Sequence, residues 1–173
     1  MTDRRQRRKA HLDQHVRDVN GDYRYVGDWY RLRGGKGALA PFAGAVLLAG
    51  ASILLAGCIT AAGLKNTWYV IFPYVLEVSL LFALVWQSVR LTKGLGRVKA
   101  YHFESASPLI PPLGAALAGA AALTAACSVV FLLRQGAEGG LMACAAWFLL
   151  KALTVLSALS ARAQWRRLVW EKD

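Results

Sequence analysis

Residues 68–89 read WYVIFPYVLEVSLLFALVWQSV, and residues 141–161 read LMACAAWFLLKALTVLSALSA. Each run is long enough to cross ~30 Å of hydrocarbon as a helix, and each carries one formal charge, Glu77 or Lys151. Two further apolar runs, 38–60 and 109–133, carry no charge at all. Backbone groups in lipid must be hydrogen-bonded within their own segment, so these runs are helices. The reading is an all-α integral membrane protein, a bundle of four transmembrane helices.

Around the spans, the chain divides into a basic, aromatic N-terminal segment, 1–37, and a transmembrane domain, 38–173. With 173 residues, 56% of them apolar and 18% charged, no room remains for a separate soluble domain of ordinary size. The net charge of +11 is unevenly placed. Ten Lys and Arg precede the first span, four (Arg90, Lys93, Arg97, Lys99) lie around the central loop, and four (Arg162, Arg166, Arg167, Lys172) follow the last span. The two opposite loops hold only Lys65 and Arg134. Eighteen against two predicts a multi-pass cell-membrane protein with both termini cytoplasmic. The excess charge then meets anionic lipid head groups, and no nucleic-acid partner is expected because no aromatic reading motif accompanies the basic run.

Several features invite sharper readings that the residue pattern does not support. Cys58, Cys127 and Cys144 all fall in apolar runs, where cysteine is usually a small filler. Leu55-Ala56-Gly57-Cys58 has the form of a lipoprotein cleavage box, but some 37 residues precede the apolar run instead of a short leader, so lipidation is not expected. His11 and His15 share a helical spacing without a third ligand, so neither a metal nor a cofactor is expected. His102 beside Glu104 lacks any nearby nucleophile and reads as a loop contact.

The segment 18–32 crowds Tyr23, Tyr25, Trp29 and Tyr30 behind an Asn20-Gly21 turn pair. A short hairpin is predicted, pairing 23–26 with 29–32 across Gly27-Asp28. These aromatics read as a collar docking the N-terminus against the bilayer or bundle, ahead of a recognition element for a partner. Pro73 is expected to kink the second span just outside Glu77. The Ala- and Gly-rich third span is expected to pack among the others, with Trp165 and Trp170 as anchors at the inner interface.

Glu77 lies nine residues into its run and Lys151 ten into its own, and positive-inside topology orients both spans the same way. At ~1.5 Å per residue their depths agree within about one turn. A lone charge at a span centre costs on the order of 2.5–3.5 kcal/mol, which pairing between adjacent helices would relieve. Tyr74 and Thr154, one turn away on the respective helices, are placed to add hydrogen bonds.

No H-E-x-x-H, G-x-S-x-G or phosphate-binding glycine loop is present, so the chain is not expected to be an enzyme. The leading expectation is a non-catalytic accessory, assembly or regulatory subunit, packing against another membrane protein or itself as a homo-oligomer. The alternative is a small oligomeric ion- or proton-coupled transporter using Glu77. Small multidrug exporters share the plan of four spans with one embedded glutamate. Theirs lies in the first span without a matching lysine, so no family assignment follows.

Overall fold

The computed structural model describes residues 15–17, 23–25, 27–59, 67–92, 97–136 and 140–173. Four helices in it are long and apolar enough to cross a membrane. The protein is a polytopic membrane protein. Helix α1 is Ala40–Cys58, led in by a 3-10 turn over Gly35–Leu39, and α2 is Trp68–Thr92. A short helix α3, Ala100–Ala106, and a 3-10 turn, Ser107–Leu109, precede α4, Ile110–Gln135. Helix α5 is Leu141–Arg167. The last two turns of α5 run past the apolar stretch through Arg162, Arg166 and Arg167, because charge ends membrane burial but not backbone hydrogen bonding.

Helix α1 packs on α5, α5 on α4, and α4 on α2, while α1 and α2 touch more sparsely. The order around the bundle is therefore α1, α5, α4, α2. Helices α2 and α5 occupy one diagonal, and α1 and α4 the other. Small residues make the tight seams possible: Ala49 and Ala56 on α1, Ala121 on α4 and Ala158 on α5 are fully buried. Large apolar side chains point outward instead, with Leu47, Phe72, Leu133 and Met142 all more than 70% exposed. In water such a surface would aggregate; in lipid it is the solvated face.

Helix α4 has two faces. Leu117, Ala121, Thr124, Ser128 and Phe131 are buried against neighbours, whereas Ala116, Gly119, Ala122 and Ala126 are exposed. The expectation that this span is enclosed by the others holds for one face only. Pro73 lies buried inside α2, where the helix continues through it.

At one end of the bundle the N-terminal segment, the central loop and the C-terminal tail meet in a three-stranded antiparallel sheet. Taking β1 as His15–Arg17 and β2 as Tyr23–Tyr25, the sheet consists of β3 (Trp29–Leu32), β4 (Arg97–Lys99) and β5 (Trp170–Lys172), in the order β4-β3-β5. This corrects the predicted hairpin. Tyr23–Tyr25 and Trp29–Leu32 are both strands, but the first pairs with His15–Arg17 and the second with the central loop and tail. The physical reason is burial. Pairing β3 with β4 and β5 places Leu32 and Val98, both nearly inaccessible, with Trp170 over the end of the bundle, which a local hairpin would not do.

Behind that sheet runs a chain of aromatic contacts. Tyr30 stacks on Phe103 at 4.3 Å, Phe103 meets Trp170 at 5.0 Å, Trp170 meets Trp165 at 6.0 Å, and Trp165 meets Phe42 at 5.1 Å. Trp165 is buried and Trp170 half-buried, so both pack within this cap of the bundle. Exposed pairs border the sheet: Lys172 with Asp28 at 2.6 Å, Arg97 with Asp173 at 3.2 Å, and Arg33 with Glu171 at 3.7 Å. The hydrogen bond from Lys172 to Asp28, and the carboxylate's charge, raise the Lys172 ammonium above its ordinary range. Exposed pairs of this kind contribute little stability, so burial of the aromatic chain holds the cap.

Candidate functional site

The bundle's polar core is built around Glu77 of α2 and Lys151 of α5, which are 0% and 1% exposed. The Lys151 Nζ donates to both Glu77 oxygens, at 2.8 and 3.0 Å. Adjacent helices were expected to carry this contact; the structure places the partners on the diagonal. The lysine's long stem bridges the bundle centre, which small and hydroxyl side chains leave open. A two-pronged ammonium–carboxylate contact is the strong form of hydrogen bond, and here both partners are buried from solvent.

Two aromatic rings complete the surroundings of the ammonium. Its Nζ lies 4.6 Å from the centroid of Tyr74 and 4.7 Å from that of Trp147. The rings themselves are 6.2 Å apart, centre to centre. At such separations a desolvated cation–π contact contributes roughly 2 kcal/mol. Trp147 is fully buried, one helical turn before Lys151, and its Nε1 has no hydrogen-bond partner among the described residues.

Tyr74 and Thr154 do not bond the pair as expected. The Tyr74 hydroxyl donates to the Ile53 carbonyl of α1 at 2.9 Å, tying α2 to α1 across the bundle's sparsest seam. Gly57 makes this possible, since a Cβ there would overlap the Tyr74 hydroxyl. Tyr74 therefore serves Lys151 with its ring face and α1 with its hydroxyl. Thr154 meets Ser52 of α1 at 2.9 Å, and each hydroxyl also lies within reach of a carbonyl of its own helix, Leu150 or Ala49. One of the two donates across the seam, and the other donates to its helix. Thr124 back-bonds to Ala120 at 3.0 Å, while the buried Ser128 hydroxyl has no partner among the described residues.

The sequence reading did not select Ser52, Trp147 or Gly57 as site residues. Ser52 was visible as a polar interruption of the first run and Trp147 as the aromatic one turn from Lys151. Gly57 carries no signal until its neighbour is known. Of the aromatic segment, Tyr30 packs on Phe103 and Trp29 is half-buried in the sheet. The side chains of Tyr23, Tyr25 and His15 lie outside the described residues, as do the run 1–10, His11, the Asn20-Gly21 turn and Lys65.

Elsewhere, His102 Nδ1 lies 3.3 Å from the Arg90 guanidinium, an inter-element contact between α2 and α3, and its ring lies tilted against that of Tyr101. Cys58, Cys127 and Cys144 are not joined in disulfides. Among the described residues no cluster of three or more His, Cys, Asp or Glu is placed to hold a metal ion. Comparison with protein-family models, with curated proteins and with solved structures found no match.

Proposed function

We propose that this chain is a non-catalytic subunit of a membrane assembly, an accessory, assembly or regulatory component with both termini in the cytoplasm. The observation that carries the reading is the closed ion pair. Both Glu77 oxygens are bonded to Lys151, so the one carboxylate in the spans is committed to holding two diagonal helices in register. With both oxygens occupied, Glu77 has no oxygen left to offer a transported ion while the pair is closed, which sets coupled transport through it behind the subunit reading. The exposed small-residue face of α4 also suits a neighbouring helix better than it suits lipid, because small side chains let helix backbones approach closely.

The test is purification from the native membrane in mild detergent. A stoichiometric second membrane protein is the expected result. A self-oligomer that moves a solute when reconstituted would favour the transport reading instead. Orientation follows from the charge asymmetry: a cysteine placed at Asn66 or Gly136 reacts with an impermeant maleimide from outside, and one at Ser105 does not. Labelling of Ser105 from outside would reverse the topology.

A further inference from the structure

We propose that Glu77, Tyr74 and Trp147 form a recognition site for a small primary ammonium ion, and that the chain's own Lys151 is its resident ligand. Three observations converge on one atom. The Nζ donates to two carboxylate oxygens at 2.8 and 3.0 Å, and two aromatic faces stand 4.6 and 4.7 Å away. A register-setting salt bridge needs only the carboxylate. Two ring faces on the same cation form the arrangement by which proteins select ammonium groups, including alkylated ones.

The supporting contacts point the same way. Tyr74 is held from behind by its hydroxyl bond to Ile53, and Gly57 leaves space for that hydroxyl, so the ring is fixed before any cation arrives. Trp147 is fixed by complete burial. Lysine supplies the ammonium on a tether, which gives it a high effective concentration and keeps the site filled. The ligand class follows from the geometry: a compact ammonium on a short apolar chain, in place of a planar guanidinium fork or a hydrated metal ion.

The site draws on the same Glu77–Lys151 contact as the subunit reading, but its test is separate from co-purification. Lys151→Ala removes Cγ, Cδ, Cε and Nζ, the atoms of propylammonium. The full chain carrying this change is made by cell-free synthesis into nanodiscs with rising propylammonium. The readouts are recovery of folded protein and its melting temperature. Propylammonium should restore most of the loss in a saturable way, whereas 1-propanol or an equal concentration of sodium chloride should not. The rescue should vanish in Lys151→Ala combined with Glu77→Gln, a charge-free core that folds without the amine. It should weaken severely with Trp147→Leu. Equal rescue by 1-propanol would mean cavity filling alone. That result, the absence of rescue, or rescue undiminished by Trp147→Leu would each overturn the proposal.

Discussion

Glu77→Gln and Lys151→Met each lower the stability of the bundle by about 3–5 kcal/mol, and the double variant recovers most of that loss. Each single change leaves the opposite charge buried at 1% exposure or less, with no other charged side chain paired to it among the described residues. The penalty is therefore chiefly that of an orphaned charge, not of a missing hydrogen bond. Removing both charges replaces the pair with groups that need no counter-ion. Reversible unfolding in mixed micelles gives the four corners of the cycle, and the coupling between the two sites should be large and favourable. A charge swap, Glu77→Lys with Lys151→Glu, should be better tolerated than either reversal alone, although it moves the cation away from the rings that now face it. Losses that simply add in the double variant would show that the two side chains do not act as a unit. Activity in the double variant then separates a structural pair from a coupling site, since a lock can be replaced by neutral groups and a proton carrier cannot.

The depth of this pair was legible in the sequence, but its position around the helix axes was not. Rise per residue fixes height from residue number alone, so Glu77 and Lys151 could be matched before any packing was known. Which helices stand side by side depends on how Ala49, Ala56, Ala121 and Ala158 let neighbours close up. An apolar run written largely in alanine does not announce its facing partner. For the same reason the diagonal arrangement escaped notice, and with it the role of Trp147. The ends of the helices were legible to within a few residues except on α5, where arginines continue the helix beyond the apolar run.

The strands show a different limit. The stretches 23–26 and 29–32 carried enough β-forming residues to be marked as extended, and Tyr23–Tyr25 and Trp29–Leu32 are strands. The partners of Trp29–Leu32 lie far away, however, at Arg97–Lys99 and Trp170–Lys172, and strands this short take their pairing from what they cover. Leu32 and Tyr30 close over Val98, Phe103 and Trp170 at the end of the bundle. That surface exists only once α2, α4 and α5 have assembled.

The same dependence on neighbours separates two glycines five residues apart on one helix. A Cβ added at Gly114 meets the Ala158 carbonyl oxygen at 3.2 Å and the Arg162 Cβ at 3.3 Å, whereas one added at Gly119 finds nothing within 4 Å. The first obstacle is backbone and the second is anchored directly to it, so neither can turn aside as a flexible side-chain tip would. Gly114→Leu must therefore push α4 away from α5, opening one of the tight seams on which Leu117, Ala121 and Ala158 depend for burial. Overpacking of this kind costs about 1–3 kcal/mol, and the upper end applies where the opposing surface is a helix backbone. In the isolated chain Gly119→Leu projects away from the bundle and should change stability by no more than about 0.5 kcal/mol. Both substitutions add the same side chain to the same helix, which removes hydropathy and helix propensity from the comparison. Melting temperatures of the two variants in one detergent give the contrast directly. A Gly119→Leu protein as damaged as Gly114→Leu would mean that the exposed face of α4 is itself covered, by a second copy or another helix.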